Sequence, residues 1–173
     1  MKNTNLRKLV VSGLMAAIVF VFTIVIRIPI AITGGYVNIG DAAVLLCSYL
    51  IGGVYGALAA GIGSALADLS AGYTAYAPAT FIIKFLMVIA ANFFYTKTFR
   101  EKRHIAMALA GICAELIMVF GYFAFESTVL GLGISAFAGV YGNVVQGGVC
   151  FIIATALGTV LVKQVKPRLL ESF

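Results

Sequence analysis

The chain consists of long apolar stretches separated by short polar segments. Of its 173 residues, 62% are hydrophobic and only 10% are charged, and the mean hydropathy is +1.10. A soluble core cannot absorb this much apolar sequence, whereas a membrane-spanning helix needs about 20 mostly apolar residues. Backbone polar groups must be satisfied within a spanning segment, which favours helices over open strands. The sequence therefore predicts an all-α polytopic membrane protein with a single domain, residues 1–173.

Six stretches are apolar enough to form a six-transmembrane-helix bundle. We predict spans at 8–28, 37–52, 54–70, 79–96, 105–125 and 135–162. The second and third spans are short, and Gly52 and Gly53 between them predict a tight helical hairpin. Lys and Arg concentrate in cytoplasmic segments of membrane proteins. Placing both termini in the cytoplasm satisfies this rule, because that side then carries Lys2, Arg7, Lys8, Lys97, Arg100, Lys102, Arg103, Lys163, Lys166 and Arg168.

One charge falls inside a predicted span. Lys84 lies in the fourth apolar stretch, where a lysine costs roughly 2.5–3.5 kcal/mol on insertion scales. Such a residue usually faces the protein interior, a partner charge or a ligand. Two interpretations stand together: an ion pair with Asp41 or Asp68, and a contact with a bound molecule. Asp41 has a further alternative, because it follows Asn38 and Gly40 and could cap the second helix.

Polar side chains gather in the outer half of the predicted bundle. At about 1.5 Å per residue, Asp41 and Asp68 lie within roughly 6 Å of the outer boundary, and Lys84 lies about 10–12 Å deep. Asn143 and Gln146 share one face of the sixth helix, and Glu115 and Tyr122 share one face of the fifth. The asparagine and glutamine could instead bond neighbouring helices. An outward-facing pocket explains the whole distribution.

Three outer loops are predicted, at 29–36, at 70–78 and around 126–133. The first contains Pro29 and a Gly-Gly pair, so it is a shaped connection rather than a continuing helix. Tyr36, Tyr73 and Tyr76 lie in the first two loops. They fit an interfacial aromatic belt and equally fit rings that close over a planar ligand.

The sequence argues against several classes of protein. It has no GxxxxGK[ST] phosphate loop, and its one histidine, His104, lacks metal-ligand spacing. No Ser/His/Asp set lies at one depth, and no basic face carries the aromatic residues that stack nucleic-acid bases. We therefore predict no enzyme activity, no metal, no cofactor and no nucleic-acid partner. A passive ion or solute channel built on intramembrane Asp, Lys and Glu remains the alternative.

Small residues suggest where helices approach one another closely. Gly13 and Ala17 lie four apart in the first helix, a spacing that permits close helix contact in membranes. A second stripe of small residues follows the third helix, and we predict that it is internal. It comprises Gly52, Gly56, Ala60 and Ser64.

Four sequence runs resemble those of a known family of membrane proteins. They are GYVNIGD at 35–41, LIGGVYG at 50–56, GSALAD at 63–68 and YAPATFIIK at 76–84. Together with the length and helix count, they resemble the substrate-binding S components of energy-coupling factor (ECF) transporters. The likeness is strongest to the branch for riboflavin, pyridoxine and hydroxymethylpyrimidine.

The resemblance implies a membrane subunit that binds a water-soluble vitamin and works with a transmembrane scaffold and two cytoplasmic ATPases. It implies a ligand near the outer face, between helices 4 to 6, and transport by reorientation in a bacterial-type plasma membrane. A small-residue surface on the first helix docks the scaffold in this family, and Gly13 and Ala17 match it.

We expect a pyridoxine- or hydroxymethylpyrimidine-like ligand, or riboflavin. Lys84 would donate to it, Asn143 and Gln146 would bond the heterocycle edge, and a tyrosine would stack on the ring. The candidate substrate-binding residues are Lys84, Asn143, Gln146, Tyr73, Tyr76, Thr80, Tyr122, Glu115, Asn38, Asp41 and Asp68.

Overall fold

The computed structural model describes residues 4–98 and 102–166, which form a bundle of six α-helices and one β-hairpin. The basic residues Lys2, Arg100 and Arg168 lie outside the described residues. The all-α membrane class is confirmed, with a small β element that the sequence did not predict. The helices are α1 Thr4–Val25, α2 Gly40–Leu50, α3 Gly53–Ala71, α4 Ala77–Lys97, α5 Arg103–Ala124 and α6 Phe137–Gln164.

Five helices in the described part of the chain are long and apolar enough to cross a membrane, and α2 is not. With 11 residues, α2 measures about 16 Å, which is shorter than the hydrocarbon core. All 11 residues are buried, so the other helices surround it. The predicted second span, 37–52, is therefore too long: the bundle encloses α2 instead of exposing it to lipid.

The connection after α1 folds as an antiparallel hairpin. Strands β1 Arg27–Ile30 and β2 Gly35–Asn38 pair with Arg27 opposite Asn38. Pro29 cannot donate the backbone hydrogen bond that a continuing helix needs. Gly34 takes a positive φ of 68° in the turn and donates its N–H to the Ile30 carbonyl at 2.9 Å. Helix α1 consequently ends at Val25 and not at residue 28.

The tight turn between α2 and α3 is confirmed. Gly52 and Gly53 both have positive φ, 65° and 54°, a region that other residues avoid. The Gly52 N–H bonds the Cys47 carbonyl at 2.8 Å and satisfies the end of α2. A Cβ at position 52 would collide with the Asn92 amide, so the glycine also lets α4 approach.

Small residues set the spacing between α1 and α3. The predicted internal stripe on α3 is buried as expected. Gly63 faces the Ala16 carbonyl so closely that an added Cβ would collide with it. On α1, Ser12 is buried, whereas Gly13 and Ala17 lie on the exposed side. Helix α1 thus packs against α3 through the face that contains Ser12 and Ala16, and the face with Gly13 and Ala17 points outward.

The third outer loop is mostly helical, which corrects the prediction for 126–133. Helix α5 continues into a π-helical turn, Phe125–Val129, and a 3₁₀ turn, Gly133–Ala136, precedes α6. Ser127 and Thr128 donate to the Ala124 carbonyl at 3.2 and 2.6 Å, a local bonding pattern that disturbs regular α-helix. Helix-breaking glycines begin only at Gly131. As a result, Glu126 is buried at 3% exposure instead of lying in a loop.

Candidate functional site

A polar pocket lies at the hairpin end of the bundle. Its empty volume is about 420 Å³ counted out to its mouth, and about 20 Å³ is available to the centres of water molecules. The side chains therefore nearly fill it, leaving room for one or two waters. The lining residues come from α1, the hairpin, α3, α4, α5 with its π-helical turn, and α6. They are Thr23, Ile30, Gly35, Tyr36, Asn38, Ser64, Asp68, Tyr76, Thr80, Lys84, Tyr122, Glu126, Asn143 and Gln146.

An ion pair holds the inner wall of this pocket together. Lys84 Nζ lies 2.5 Å from Asp41 Oδ1, and the two side chains are 3% and 0% exposed. Gln146 Nε2 donates to the other carboxylate oxygen of Asp41, Oδ2, also at 2.5 Å. The Asn38 N–H donates to Gln146 Oε1 at 2.6 Å. One carboxylate on α2 thus connects α4 and α6, and through Gln146 it positions the hairpin.

The start of α2 is built around this carboxylate. The Asn38 side chain accepts the Gly40 N–H at 2.7 Å, while both Asp41 oxygens bind Lys84 and Gln146. Asp41 therefore does not cap the helix with its side chain, although its charge in the first turn favours the helix dipole. A Cβ at Gly40 would collide with the Thr23 hydroxyl, so glycine lets α1 pack here.

Two tyrosines from the connections after α1 and after α3 contact two further carboxylates. The Tyr36 hydroxyl bonds Asp68 Oδ1 at 2.6 Å, and the Tyr76 hydroxyl lies 3.1 Å from Glu126 Oε1 and 2.8 Å from the Thr33 carbonyl. Burial and then the nearby Asp68 carboxylate raise the pKa of Tyr36. Burial and the Glu126 charge likewise raise the pKa of Tyr76. Both hydroxyls therefore keep their protons and act as donors.

Aromatic rings form the outer side of the pocket. The ring centroids of Tyr36 and Tyr73 are 4.5 Å apart, and those of Tyr76 and Tyr122 are 6.4 Å apart. Tyr73 does not line the pocket but supports Tyr36 from behind. The Tyr122 hydroxyl lies 3.0 Å from Thr80 Oγ1, and its ring centroid lies 5.1 Å from Lys84 Nζ.

Several polar groups of the pocket have no partner within the described chain. Asp68 Oδ2, Glu126 Oε2 and the Ser64 hydroxyl are buried and unbonded. Asn143 is 5% exposed and lines the same pocket. Because buried polar groups are nearly always hydrogen-bonded, these atoms have free capacity for a bound molecule.

The structure brings most of the predicted residues to this pocket. Asp41 joins them through Lys84 and Gln146, and Tyr73 packs behind Tyr36. Glu115 is the exception, since it lines a separate apolar groove between α5 and α6, with both of its oxygens unpartnered. The residues that line the pocket as expected are Lys84, Asn143, Gln146, Tyr76, Thr80, Tyr122, Asn38 and Asp68.

Three further residues line the pocket beyond the predicted site residues: Glu126, Ser64 and Thr23. Glu126 lies in the segment predicted as a loop, yet no glycine or proline separates it from α5, and this continuity is the signal that the sequence offers. Ser64 belongs to the predicted small-residue stripe. Thr23 shows no sequence signal, because its hydroxyl bonds the Val19 carbonyl as it would in any apolar helix.

Comparisons with known proteins agree with this architecture. The family profile described as "ECF-type riboflavin transporter, S component" matches residues 3–163. An "uncharacterized protein in gap 3'region" of Pyrococcus woesei is 35% identical over 87% of this chain and 99% of its own length. The "thiamine precursor transporter HmpT" of Lactococcus lactis subsp. cremoris (strain MG1363) is 28% identical over 93% of this chain and 91% of its own length.

The family match covers nearly the whole chain, including the hairpin and every helix that lines the pocket. It confirms the resemblance seen in the runs from 35 to 84. The chain belongs to the family of ECF-type riboflavin transporter S components, which are membrane-embedded transport subunits and not enzymes.

Proposed function

We propose that this chain binds a small water-soluble vitamin, or a vitamin precursor, in the pocket at the hairpin end. The observation that carries the proposal is a nearly closed polar pocket, with unpartnered hydrogen-bonding atoms, inside an otherwise apolar bundle. Ligand sites are concave and combine apolar walls with a few placed polar groups. Membership of a family of vitamin transporter S components supports this proposal.

The small size of the pocket favours a single-ring ligand. Its side chains leave room for only one or two waters, so any ligand requires them to move apart, and a smaller ligand requires less movement. A pyridine or pyrimidine such as pyridoxine or hydroxymethylpyrimidine needs the smaller opening. Riboflavin, with three fused rings and a polyol chain, would require the hairpin to move further. The likeness to a thiamine precursor transporter also supports a pyrimidine.

We further propose that the chain is the substrate-specific subunit of an ATP-driven importer in a bacterial-type plasma membrane. A transmembrane scaffold and two cytoplasmic ATPases would supply the nucleotide chemistry, since the sequence contains no GxxxxGK[ST] loop. The six-helix unit would have both termini cytoplasmic and the pocket outside, and would carry the ligand inward by reorienting. Arg103 and Lys166 lie together at the opposite end from the pocket, where both contact Tyr95, in support of this orientation.

A passive channel is the second candidate, and the packing argues against it. A channel needs polar groups along its whole length. Beyond the Lys84–Asp41 pair, large buried apolar side chains fill the described core, among them Leu45, Met87 and Met107. The polar residues of the pocket therefore do not continue through the described core toward the opposite end of the bundle, as a conducting path would require.

Binding and uptake test this function directly. We expect the chain purified in detergent to bind hydroxymethylpyrimidine, pyridoxine or riboflavin in calorimetric titrations. Asn143→Ala should lower the affinity about tenfold or more, because the Asn143 amide lines the pocket and its loss would leave a polar group of the ligand unpaired. Uptake into cells should require co-expressed scaffold and ATPase subunits. Uptake without these partners would instead support the channel.

Docking of the scaffold should depend on the outward face of α1. Gly13 and Ala17 are exposed, and no atom outside α1 lies within 4 Å of a Cβ built at Gly13. A shallow groove follows, formed by Ala17, Ile18, Val21 and Phe22. We expect Ala17→Leu to abolish co-purification of the partner subunits while ligand binding by the isolated chain is retained. Ala124→Leu, the same change at an exposed site on α5, is the matched control. Assembly that survives Ala17→Leu would contradict this docking face.

A further inference from the structure

Two carboxylates of the pocket each retain one oxygen without a hydrogen-bond partner. Asp68 on α3 and Glu126 in the π-helical turn are both 3% exposed, and Asp68 Oδ2 and Glu126 Oε2 are buried and unbonded among the described residues. Both residues line the pocket. An unsatisfied buried acceptor is costly, so a pair of them in one cavity indicates donors supplied by the occupant.

The other oxygen of each carboxylate contacts a tyrosine hydroxyl. Tyr36 donates to Asp68 Oδ1, and the Tyr76 hydroxyl shares its proton between the Thr33 carbonyl and Glu126 Oε1. Because both hydroxyls keep their protons, each tyrosine can donate to the carboxylate oxygen beside it. The second oxygen of each carboxylate then remains available to accept a hydrogen bond from a ligand.

The charges in the pocket also favour a ligand that donates hydrogen bonds. Among its described lining residues, Lys84 is the one basic side chain, and Asp41 neutralises it at 2.5 Å. Among the described residues, neither Asp68 nor Glu126 forms such an ion pair. An anionic group in the pocket would meet two carboxylates and no free cation, which disfavours it electrostatically.

We infer that Asp68 and Glu126 determine substrate specificity in the proposed vitamin site. They accept hydrogen bonds from amino, ring N–H or hydroxyl groups of an uncharged or cationic heterocycle, and they exclude its phosphate ester. This inference rests on the proposed function, because it defines the chemical class of ligand for the same pocket. It therefore predicts that the pocket discriminates between the free vitamin and its phosphate ester.

Carboxylate-to-amide substitutions test the inference. In Asp68→Asn and Glu126→Gln the amide oxygen can still accept from the tyrosine, but an NH₂ group then faces the donor of the ligand. We expect each variant to lower the affinity about 10- to 100-fold, the loss expected for a hydrogen bond to a charged group. The affinity is measured by calorimetry with whichever of hydroxymethylpyrimidine, pyridoxine and riboflavin the wild type binds most tightly.

The phosphate ester of the same compound provides the second readout. The wild type should bind the ester at least about a hundredfold more weakly than the free compound. In both variants, the ratio of the affinity for the free compound to the affinity for the ester should be smaller than in the wild type. A ratio of affinities does not depend on the fraction of correctly folded protein. Glu115→Gln is the matched control: it makes the same chemical change to a buried carboxyl that lies in another groove, and it should leave the ratio unchanged.

The outcomes separate the inference from the function it rests on. If the wild type binds a free compound but the variants bind it equally well, or if the ester binds as tightly, Asp68 and Glu126 are not the specificity residues and the proposed function stands. If the wild type binds none of the three compounds, the proposed function fails and the inference fails with it.

Discussion

Lys84→Met is expected to lower the free energy of unfolding by about 3–5 kcal/mol, because it leaves the Asp41 carboxylate buried without its counter-ion. Asp41 is 0% exposed, and in this variant only the Gln146 amide would still donate to it. The measurement is the thermal unfolding midpoint of the purified chain in detergent. Ligand affinity should fall as well, since Lys84 lines the pocket.

A double variant separates the charge from the contact with the ligand. Adding Asp41→Asn to Lys84→Met removes the uncompensated charge, while the asparagine oxygen still accepts from Gln146. Replacing both partners of a buried pair is often nearly neutral. We therefore expect the double variant to recover most of the stability but not the ligand affinity. A single Lys84→Met variant as stable as the wild type would show that the pair is not what holds α2 to α4.

Much of the fold could be predicted from apolar stretches and small residues. The tight turn at Gly52 and Gly53 was predictable, because two adjacent glycines between apolar helices permit the positive φ values found there. The buried stripe on α3 was predictable for a similar reason, since only small residues let α1 come as close as Gly63 and Ala16 do.

The enclosure of α2 could not be predicted. Its sequence is as apolar as that of a lipid-facing segment, and only the arrangement of the other helices decides that all 11 residues are buried. The β-hairpin could not be predicted for the same reason, because it depends on contacts with distant parts of the chain. Four-residue strands carry little signal of their own, and the strand residue Asn38, which pairs with Arg27, is hydrogen-bonded to Gln146 of the distant helix α6.

The site residues show the same difference. Their positions along each helix follow from the local sequence, whereas their contacts depend on how distant helices pack. Depth along each helix indicated that Lys84, Asp68, Asn143 and Gln146 lie in one half of the bundle. Depth alone could not choose Asp41 over Asp68 as the partner of Lys84, because that choice depends on helix rotation. Helix rotation also explains why Glu115 does not line the pocket. Its predicted depth is similar to that of the pocket residues, but its face of α5 borders the groove beside Gly147.

The carboxylate–amide contact between Asp41 and Gln146 leads to the second large effect. Gln146→Glu keeps an acceptor for the Asn38 N–H but places a second carboxylate against Asp41 Oδ2. The lost hydrogen bond to a charged group alone costs about 1.5–3 kcal/mol, and like-charge repulsion adds to it. We expect a lower thermal unfolding midpoint and loss of ligand binding, because β2 and α6 are joined through this residue.

Exchanging the two groups should restore the contact. In the double variant Asp41→Asn/Gln146→Glu, the asparagine amide can donate to the new carboxylate while its oxygen accepts from Lys84. The number of buried charges then equals that of the wild type. We expect the double variant to be more stable than either single variant, since Asp41→Asn alone leaves Lys84 without a counter-ion. Additive losses in the two single variants would mean that Asp41 and Gln146 act independently. The hairpin would then be positioned by packing rather than by this carboxylate.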